Sequence, residues 1–319
     1  MIIRAVSPVG AKLGEGALWD PDREILWWVD IKAPALHAHH VASGANHRHP
    51  LPFRLTALGL TRGGKLIASG DPGFVRLSIA DDLSISACDV LATVDEPVGN
   101  RFNDGQVDGE GRFWAGTMDD AEAAARGSLY RLDPDGSVAR VRGGIMVPNG
   151  PAFLADGTML VTDSAAQRIT AVTLDAGGNP VAERPFAAFA PEQGYPDGMA
   201  VDADDHVWIA FWDGWCLRRL SPEGEIVREI PLPVQRPTCP AFGGRDLDRL
   251  YVTSATVGLT PEALARQPLA GALLCLTGVT TGRSPARFAG QDASEGTIPG
   301  GSTAAGPSPE TTGFDPHRA

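Results

Sequence analysis

The sequence predicts an all-β fold, a six-bladed β-propeller closed by the N-terminal strand, and three observations lead there. One short apolar strand recurs six times, at Leu26-Trp27-Trp28-Val29, Leu66-Ile67-Ala68-Ser69, Phe113-Trp114-Ala115-Gly116, Met159-Leu160-Val161-Thr162, Val207-Trp208-Ile209-Ala210 and Leu250-Tyr251-Val252-Thr253, with starts roughly 40 to 48 residues apart. A polar turn precedes each, as in Asp20-Pro21-Asp22, Arg62-Gly63-Gly64, Asp108-Gly109-Glu110-Gly111, Asp156-Gly157, Asp202-Ala203-Asp204-Asp205 and Gly244-Arg245-Asp246; such residues supply the positive φ angles and side-chain turn bonds that reverse a chain. The 38 glycines and 26 prolines make up about a fifth of the 319 residues, far too many for a helical bundle.

Units of about 45 residues with four short strands read as propeller blades, because a lone twisted sheet cannot bury both faces and six packed radially can. The stretch from Ile2 to Val9 is expected to pair with the last blade and close the ring, leaving few free edges. The propeller domain spans 1–290. Residues 291–319, rich in Gly, Ser, Thr and Pro, read as a disordered tail. Two short helices are expected, Asp119 to Arg126 and, behind a Thr260 cap, Pro261 to Gln267.

A formal net charge of −12 without a basic stripe argues against nucleic-acid or anionic-membrane partners. No apolar run approaches the ~18 residues of a membrane span, and Pro8 and Gly10 interrupt the N-terminus before it could form a signal peptide. Cys88, Cys216, Cys239 and Cys275 are scattered, fitting neither a zinc clamp nor a secreted disulfide framework, and read as buried small hydrophobes. The expectation is a soluble, acidic, cytoplasmic protein, monomeric or weakly oligomeric. It carries no Gly-x-Ser-x-Gly elbow, no His-Glu-x-x-His, no P-loop and no dinucleotide fingerprint.

Counting back about ten residues from each anchor strand lands on Glu15, Thr56, Asn103, Asn149, Asp197 and Pro240. Four of these carry a carboxylate or carboxamide, and glycine follows at once in Glu15-Gly16, Asn149-Gly150 and Asp197-Gly198. Equivalent propeller positions lie on one ring, where the innermost strands begin at the axial channel. Oxygen donors converging there suit one hard divalent cation such as Ca²⁺, Mg²⁺ or Mn²⁺. Glu15 and Asp197 would offset its charge, and the Asn149 amide oxygen would complete a three-ligand face with open positions. The competing reading is structural, since Asn-Gly and Asp-Gly are common wherever strands reverse.

These segments resemble the regucalcin/gluconolactonase family, from about Leu13 to Gly290. The resemblance rests on Leu13-Gly14-Glu15-Gly16, Trp28-Val29-Asp30-Ile31, Asn100-Arg101-Phe102-Asn103-Asp104-Gly105, Ala115-Gly116-Thr117-Met118, Pro148-Asn149-Gly150, Tyr195-Pro196-Asp197-Gly198-Met199 and Arg266-Gln267-Pro268-Leu269-Ala270-Gly271-Ala272. It implies a six-bladed propeller with a catalytic divalent metal on Glu15, Asn149 and Asp197, and substrate contacts from Arg101 and Asn103. Animal regucalcins carry an acidic pair after the Gly-Thr-Met motif, whereas here Met118-Asp119-Asp120-Ala121-Glu122 puts an alanine at the second acid. Asp120 is the candidate substrate contact in its place, with Glu122 as the alternative. In this segment the chain is similar to bacterial sugar lactonases.

The expected function is metal-dependent hydrolysis of a sugar lactone, of the glucono-, xylono- or arabinono-lactone type, to the aldonic acid. An incompletely coordinated ion polarises a carbonyl and acidifies water, with Asp197 as the proton acceptor. Zn²⁺ and Fe²⁺ also tolerate such a face, so the metal stays open. Two rival readings are a non-catalytic calcium-binding protein and a paraoxonase-type esterase. His37, His39, His40, His47 and His49 read as a solvated or stacked surface cluster on outer strands. Trp27, Trp28, Trp114 and Trp208 read as inter-blade core, and Trp212 and Trp215 as pocket-lining candidates.

Overall fold

The computed structural model describes residues 1–8 and 10–291. Among them six sheets stand around one axis, and four follow the chain strand by strand from the centre outward. Blade 1 is Gly14–Asp20, Ile25–Asp30, Ala35–His40 and Asn46–Pro50. Blade 3 is Asn100–Val107, Phe113–Asp119, Gly127–Leu132 and Val138–Ile145. Blade 4 runs from Pro148–Phe153 to Pro180–Ala188, and blade 5 from Tyr195–Val201 to Ile226–Pro231. In blade 6 the strands Pro237–Gly243, Arg249–Ser254 and Leu273–Thr277 are completed by Ile2–Ser7, which pairs antiparallel with Leu273–Thr277 as the outermost strand. Blade 2, from Leu55–Thr61 to Ile85–Ala92, gains a fifth strand on its inner edge, where Arg287–Phe288 runs parallel to Leu55–Thr61.

The buried apolar residues fall into six clusters, one for each interface between neighbouring blades. Leu18, Trp27 and Val29 of blade 1 meet Leu58, Leu60 and Val75 of blade 2, while Trp19 and Trp28 on the opposite face meet Tyr251 and Leu273 of blade 6. Adjacent tryptophans thus serve different interfaces, because side chains alternate across a strand. Trp114 packs between blades 3 and 4, and Trp208 between blades 5 and 6.

An aspartate at the first turn of alternate blades clamps these rings. In blades 1, 3 and 5, Asp20, Asp108 and Asp202 each accept two backbone N–H bonds within the turn through Oδ1. Through Oδ2 each accepts the indole N–H of Trp27, Trp114 or Trp208, at 3.2, 2.8 and 2.9 Å. The turn signal and the core tryptophan are therefore one device.

The structure departs from the sequence reading in three local places. Residues 120–126 form an irregular loop, not a helix. Asp119 is buried at the end of its strand, where its carboxylate accepts the N–H groups of Ala121 and Ala123 and pairs with Arg126. The second helix is present, Pro261–Arg266, with the Thr260 hydroxyl capping Ala263 N–H. Two of the five clustered histidines are core residues rather than surface ones: His37 stacks on Trp28 with ring centroids 3.9 Å apart, and His39 lies tilted 6.1 Å from Tyr251. All four cysteines are free, and Cys88, unlike the others, is exposed. Of the expected disordered tail, residues 292–319 lie outside the described residues.

Candidate metal centre

Each innermost strand breaks its pairing with the second strand at the same height. The irregularity falls between Glu15 and Leu18, Leu55 and Ala57, Phe102 and Gly105, Asn149 and Ala152, Pro196 and Met199, and Pro237 and Pro240. A bulge re-aims the side chains beside it, and six in register turn theirs onto one ring at one end of the channel. Glu15 and Asn149 are the last paired residues before their bulges; Asn103 and Asp197 lie inside theirs. The glycines that follow belong to these bulges and not to chain-reversing turns. Gly16 and Gly150 sit at φ 58° and 78°, and a Cβ on Gly150 would come within 2.5 Å of Met199 Cε.

The ring gathers a buried, acidic set. Glu15, Arg101, Asn103, Asp104, Asn149 and Asp197 are all buried. Burial raises the Glu15 carboxyl well above its ordinary pKa, and the charges of Asp197 and Asp104 raise it further. Asp197 is likewise pushed well up, first by burial, then by Asp104 and by Glu122. Burial takes Asp104 to about 6, although it accepts the N–H groups of Gly150 and Gly105, both at 2.8 Å. Cys239, on blade 6, feels the same field: burial and then Asp104 and Glu15 hold its thiol protonated.

The amides are ordered by a directed chain of hydrogen bonds. Arg101 Nη1 donates to Asn103 Oδ1 at 2.7 Å, and Asn103 Nδ2 donates to Asn149 Oδ1 at 3.1 Å and Pro148 O at 2.9 Å. Asn149 Nδ2 donates to Ser164 Oγ at 2.8 Å. Toward the mouth, Arg101 Nε donates to Asp120, which also takes Lys32 Nζ at 2.6 Å and Arg54 Nη1 at 3.1 Å. Burial alone would raise the Asp120 carboxyl, but the bonds from Lys32 and Arg101 hold it down at about 2. Beside it, Arg54, Gly99, Asn100, Asp119, Asp120 and Ala121 line a hollow of about 410 Å³. A larger cavity of about 790 Å³ fills the channel on the other side of the ring. It touches the site only through residues such as Gly16, Asp104, Met199 and Cys239, and residues 283–286 line its far part.

This chemistry fits a hard divalent cation. Burial raises the carboxyls of Glu15, Asp104 and Asp197, the Asp104 charge raises the other two further, and Arg101 lowers those two. Buried like charges demand a counter-charge, and carboxylate and amide oxygens are hard donors. Among the described residues no three His, Cys, Asp or Glu side chains assemble as a metal-holding group. The set expected from the sequence has two such ligands, its third donor being the Asn149 amide.

The model of the SMP-30/gluconolactonase/LRE-like region matches residues 13–256, from the edge of the first inner strand into blade 6. The chain belongs to this family. A pentonolactonase of Haloferax volcanii is 36% identical over 89% of this chain and 97% of its own length. A 6-deoxy-6-sulfogluconolactonase of Pseudomonas putida is 35% identical over 87% and 95%. Among solved structures, a calcium-binding protein, regucalcin, from Agrobacterium tumefaciens superposes with a TM-score of 0.85 at 31% identity, over 90% of this chain and 97% of that one.

Within this SMP-30/gluconolactonase-type frame, Glu15, Asn103, Asn149 and Asp197 lie on the ring, and Arg101 bridges it to Asp120. Thr56 occupies the same height but brings no donor for an ion, its hydroxyl being bonded to Ser69 Oγ at 2.9 Å. Pro240 falls past its bulge, paired with Val252 at the level of Gly105 and Met199, and the blade 6 residue at the ring is Thr238, whose hydroxyl is bonded to Gly14 O and Thr253 Oγ1. Trp212 is half-buried beneath Arg236, and Trp215 is exposed. Asp104, Ser164, Lys32 and Arg54 have no role in the sequence reading. Asp104 had a signal, being the acid beside a register position. Ser164 had none, since it follows a second strand, where the register of first strands does not reach.

Proposed function

We propose that the protein hydrolyses a sugar lactone to the aldonic acid, using one divalent cation held by Glu15, Asn149 and Asp197. The observation that carries this reading is the buried ring of Glu15, Asp104, Asn149 and Asp197 at one end of the channel, in a family whose similar members include a pentonolactonase and a sulfogluconolactonase. When bound, the cation supplies Lewis-acid polarisation of the lactone carbonyl and a lower pKa for water.

The rest is done by side chains. Asp197, buried on the ring, accepts the proton of the attacking water. Arg101 presents N–H donors to the lactone oxygens, and Asn103 holds a sugar hydroxyl. Asp120, already bound to three cationic side chains, acts by fixing the plane of the Arg101 guanidinium. Glu122, exposed over the mouth and within electrostatic reach of Asp197, stands in for the acid that Ala121 lacks. The donor set is compatible with Ca²⁺, Mg²⁺, Mn²⁺, Zn²⁺ or Fe²⁺.

The test is an aldonolactone panel assayed with chelator-stripped protein and single added cations. Stripped protein should open the lactones no faster than buffer, one cation should restore turnover, and Asp197→Ala should lose at least about 100-fold in kcat. Full activity after stripping sinks the mechanism. Stoichiometric cation binding without turnover favours the calcium-binding reading, and preference for aryl esters the esterase one.

A further inference from the structure

Ser164 is buried just beyond the strand Met159–Asp163, and its backbone is pinned: its N–H donates to Val147 O at 2.9 Å. Its hydroxyl lies between two metal-site strands, 2.8 Å from Asn149 Nδ2 and 2.6 Å from Pro196 O. A backbone carbonyl can only accept, so the single hydroxyl hydrogen goes to Pro196 O. The oxygen is left as an acceptor, which admits the amide nitrogen of Asn149 and rejects its oxygen. From the other side Arg101, which can only donate, takes Asn103 Oδ1 and turns the Asn103 nitrogen toward Asn149 Oδ1. Both ends of the Asn149 amide are thereby assigned by groups whose polarity is not negotiable.

We infer that Ser164 is the positioning residue that presents the oxygen end of Asn149, and not its nitrogen end, to the cation. The inference rests on the reading of Glu15, Asn149 and Asp197 as cation ligands. Only the oxygen of an amide ligates a hard ion, and side chains that orient ligands typically govern about 10- to 100-fold of metal affinity. Without the Ser164 oxygen the Asn149 amino group has no acceptor there, and a flipped amide points N–H at the ion.

The test is calorimetric titration of Mn²⁺ and of Ca²⁺ into chelator-stripped protein, with the thermal midpoint of the stripped protein as the control for folding. Ser164→Ala should weaken binding by about 10- to 100-fold, and Ser164→Thr, which keeps the hydroxyl, should restore it to within a few-fold. In an Asn149→Asp background, where both ligand oxygens are equivalent, adding Ser164→Ala should cost no more than a few-fold. Equal cation affinity in Ser164→Ala and the parent protein overturns the assignment. So does an equal loss in the parent and Asn149→Asp backgrounds, which would make the serine a structural support only. Should Ser164→Ala fail to fold, Ser164→Cys, a poor acceptor of similar size, carries the same comparison. If the parent protein itself shows no cation binding that Glu15→Ala abolishes, the metal reading fails and this inference with it; binding in the parent with no effect at Ser164 defeats the inference alone.

Discussion

Glu15, Asp104 and Asp197 are each held above their ordinary pKa by burial before any neighbouring charge is counted, so a cation held as proposed would compete with protons for these oxygens. A carboxyl whose folded pKa is raised favours folding below its unfolded value, near 4, and that contribution is lost as pH rises through the folded value, about 6 for Asp104. Stripped protein therefore suffers most from these groups at pH 7 and above, where a bound cation relieves them most. His37 has the opposite sign. Burial lowers its pKa to about 4, so its contribution is lost as pH falls from 6.5 toward 4. The gap in thermal midpoint between loaded and stripped protein cancels His37, which is stacked on Trp28 in both. That gap should widen steadily from pH 5 to pH 7.5, and a gap independent of pH would contradict the coupling. That Glu15, Asn149 and Asp197 stand at the bulges of three inner strands was legible because the anchor strands repeat at near-equal spacing. Ser164 was not, because a serine after a strand is among the commonest of turn residues.

The strands and turns were legible wherever one physical requirement fixes one residue pattern, and the aspartate–tryptophan clamps show how closely. Asp202 is fully buried and holds two turn N–H groups, the Trp208 indole and Arg219 Nε, the last at 2.7 Å. Removing it orphans all four donors at once, since a buried donor without a partner keeps its desolvation cost. Asp202→Ala should lower stability by about 2–4 kcal/mol in urea denaturation. Asp156→Ala, at the exposed turn of blade 4 where the aspartate serves one N–H, should cost less than about 1 kcal/mol. Equal costs would show that the clamp adds nothing to the turn. The loop at 120–126 is the counter-example. Its alanine-rich run has helical propensity, but Asp119 spends its carboxylate on a compact turn, whereas the equally short Pro261–Arg266 is started by the Thr260 cap. The buried histidines misled in another way: a polar residue on a third strand reads as solvent-facing until an aromatic ring covers it, Trp28 of the neighbouring strand for His37 and Tyr251 of the neighbouring blade for His39.

At the scale of the ring, six inter-blade clusters make each sheet depend on two neighbours, so the fold is only as closed as its last joint. The strand Ile2–Ser7 seals blade 6. A second tie was invisible in the sequence, because a two-residue parallel strand carries no periodicity to detect. After blade 6 the chain crosses the end of the channel remote from Glu15 and Asp197. Gly282 bridges Asp202, Arg283 pairs with Asp205 at 2.9 Å, Arg287 pairs with Asp22 at 2.7 Å, and Phe288 is buried in the cluster between blades 2 and 3. This strap joins blades 5, 6, 1 and 2 across the axis. The ion pairs are solvent-screened and contribute little, while burying one phenylalanine contributes about 2–3 kcal/mol. A chain ending at Val279 should therefore melt about 3–5 °C below the full protein. A chain ending at Gln291 keeps all of these contacts and should stay within about 1 °C. Because the strap lies beyond the large cavity from Glu15 and Asp197, the shorter chain should still bind a divalent cation below its lower midpoint. Equal midpoints for the two truncations would mean that the strap fills the channel without fastening it.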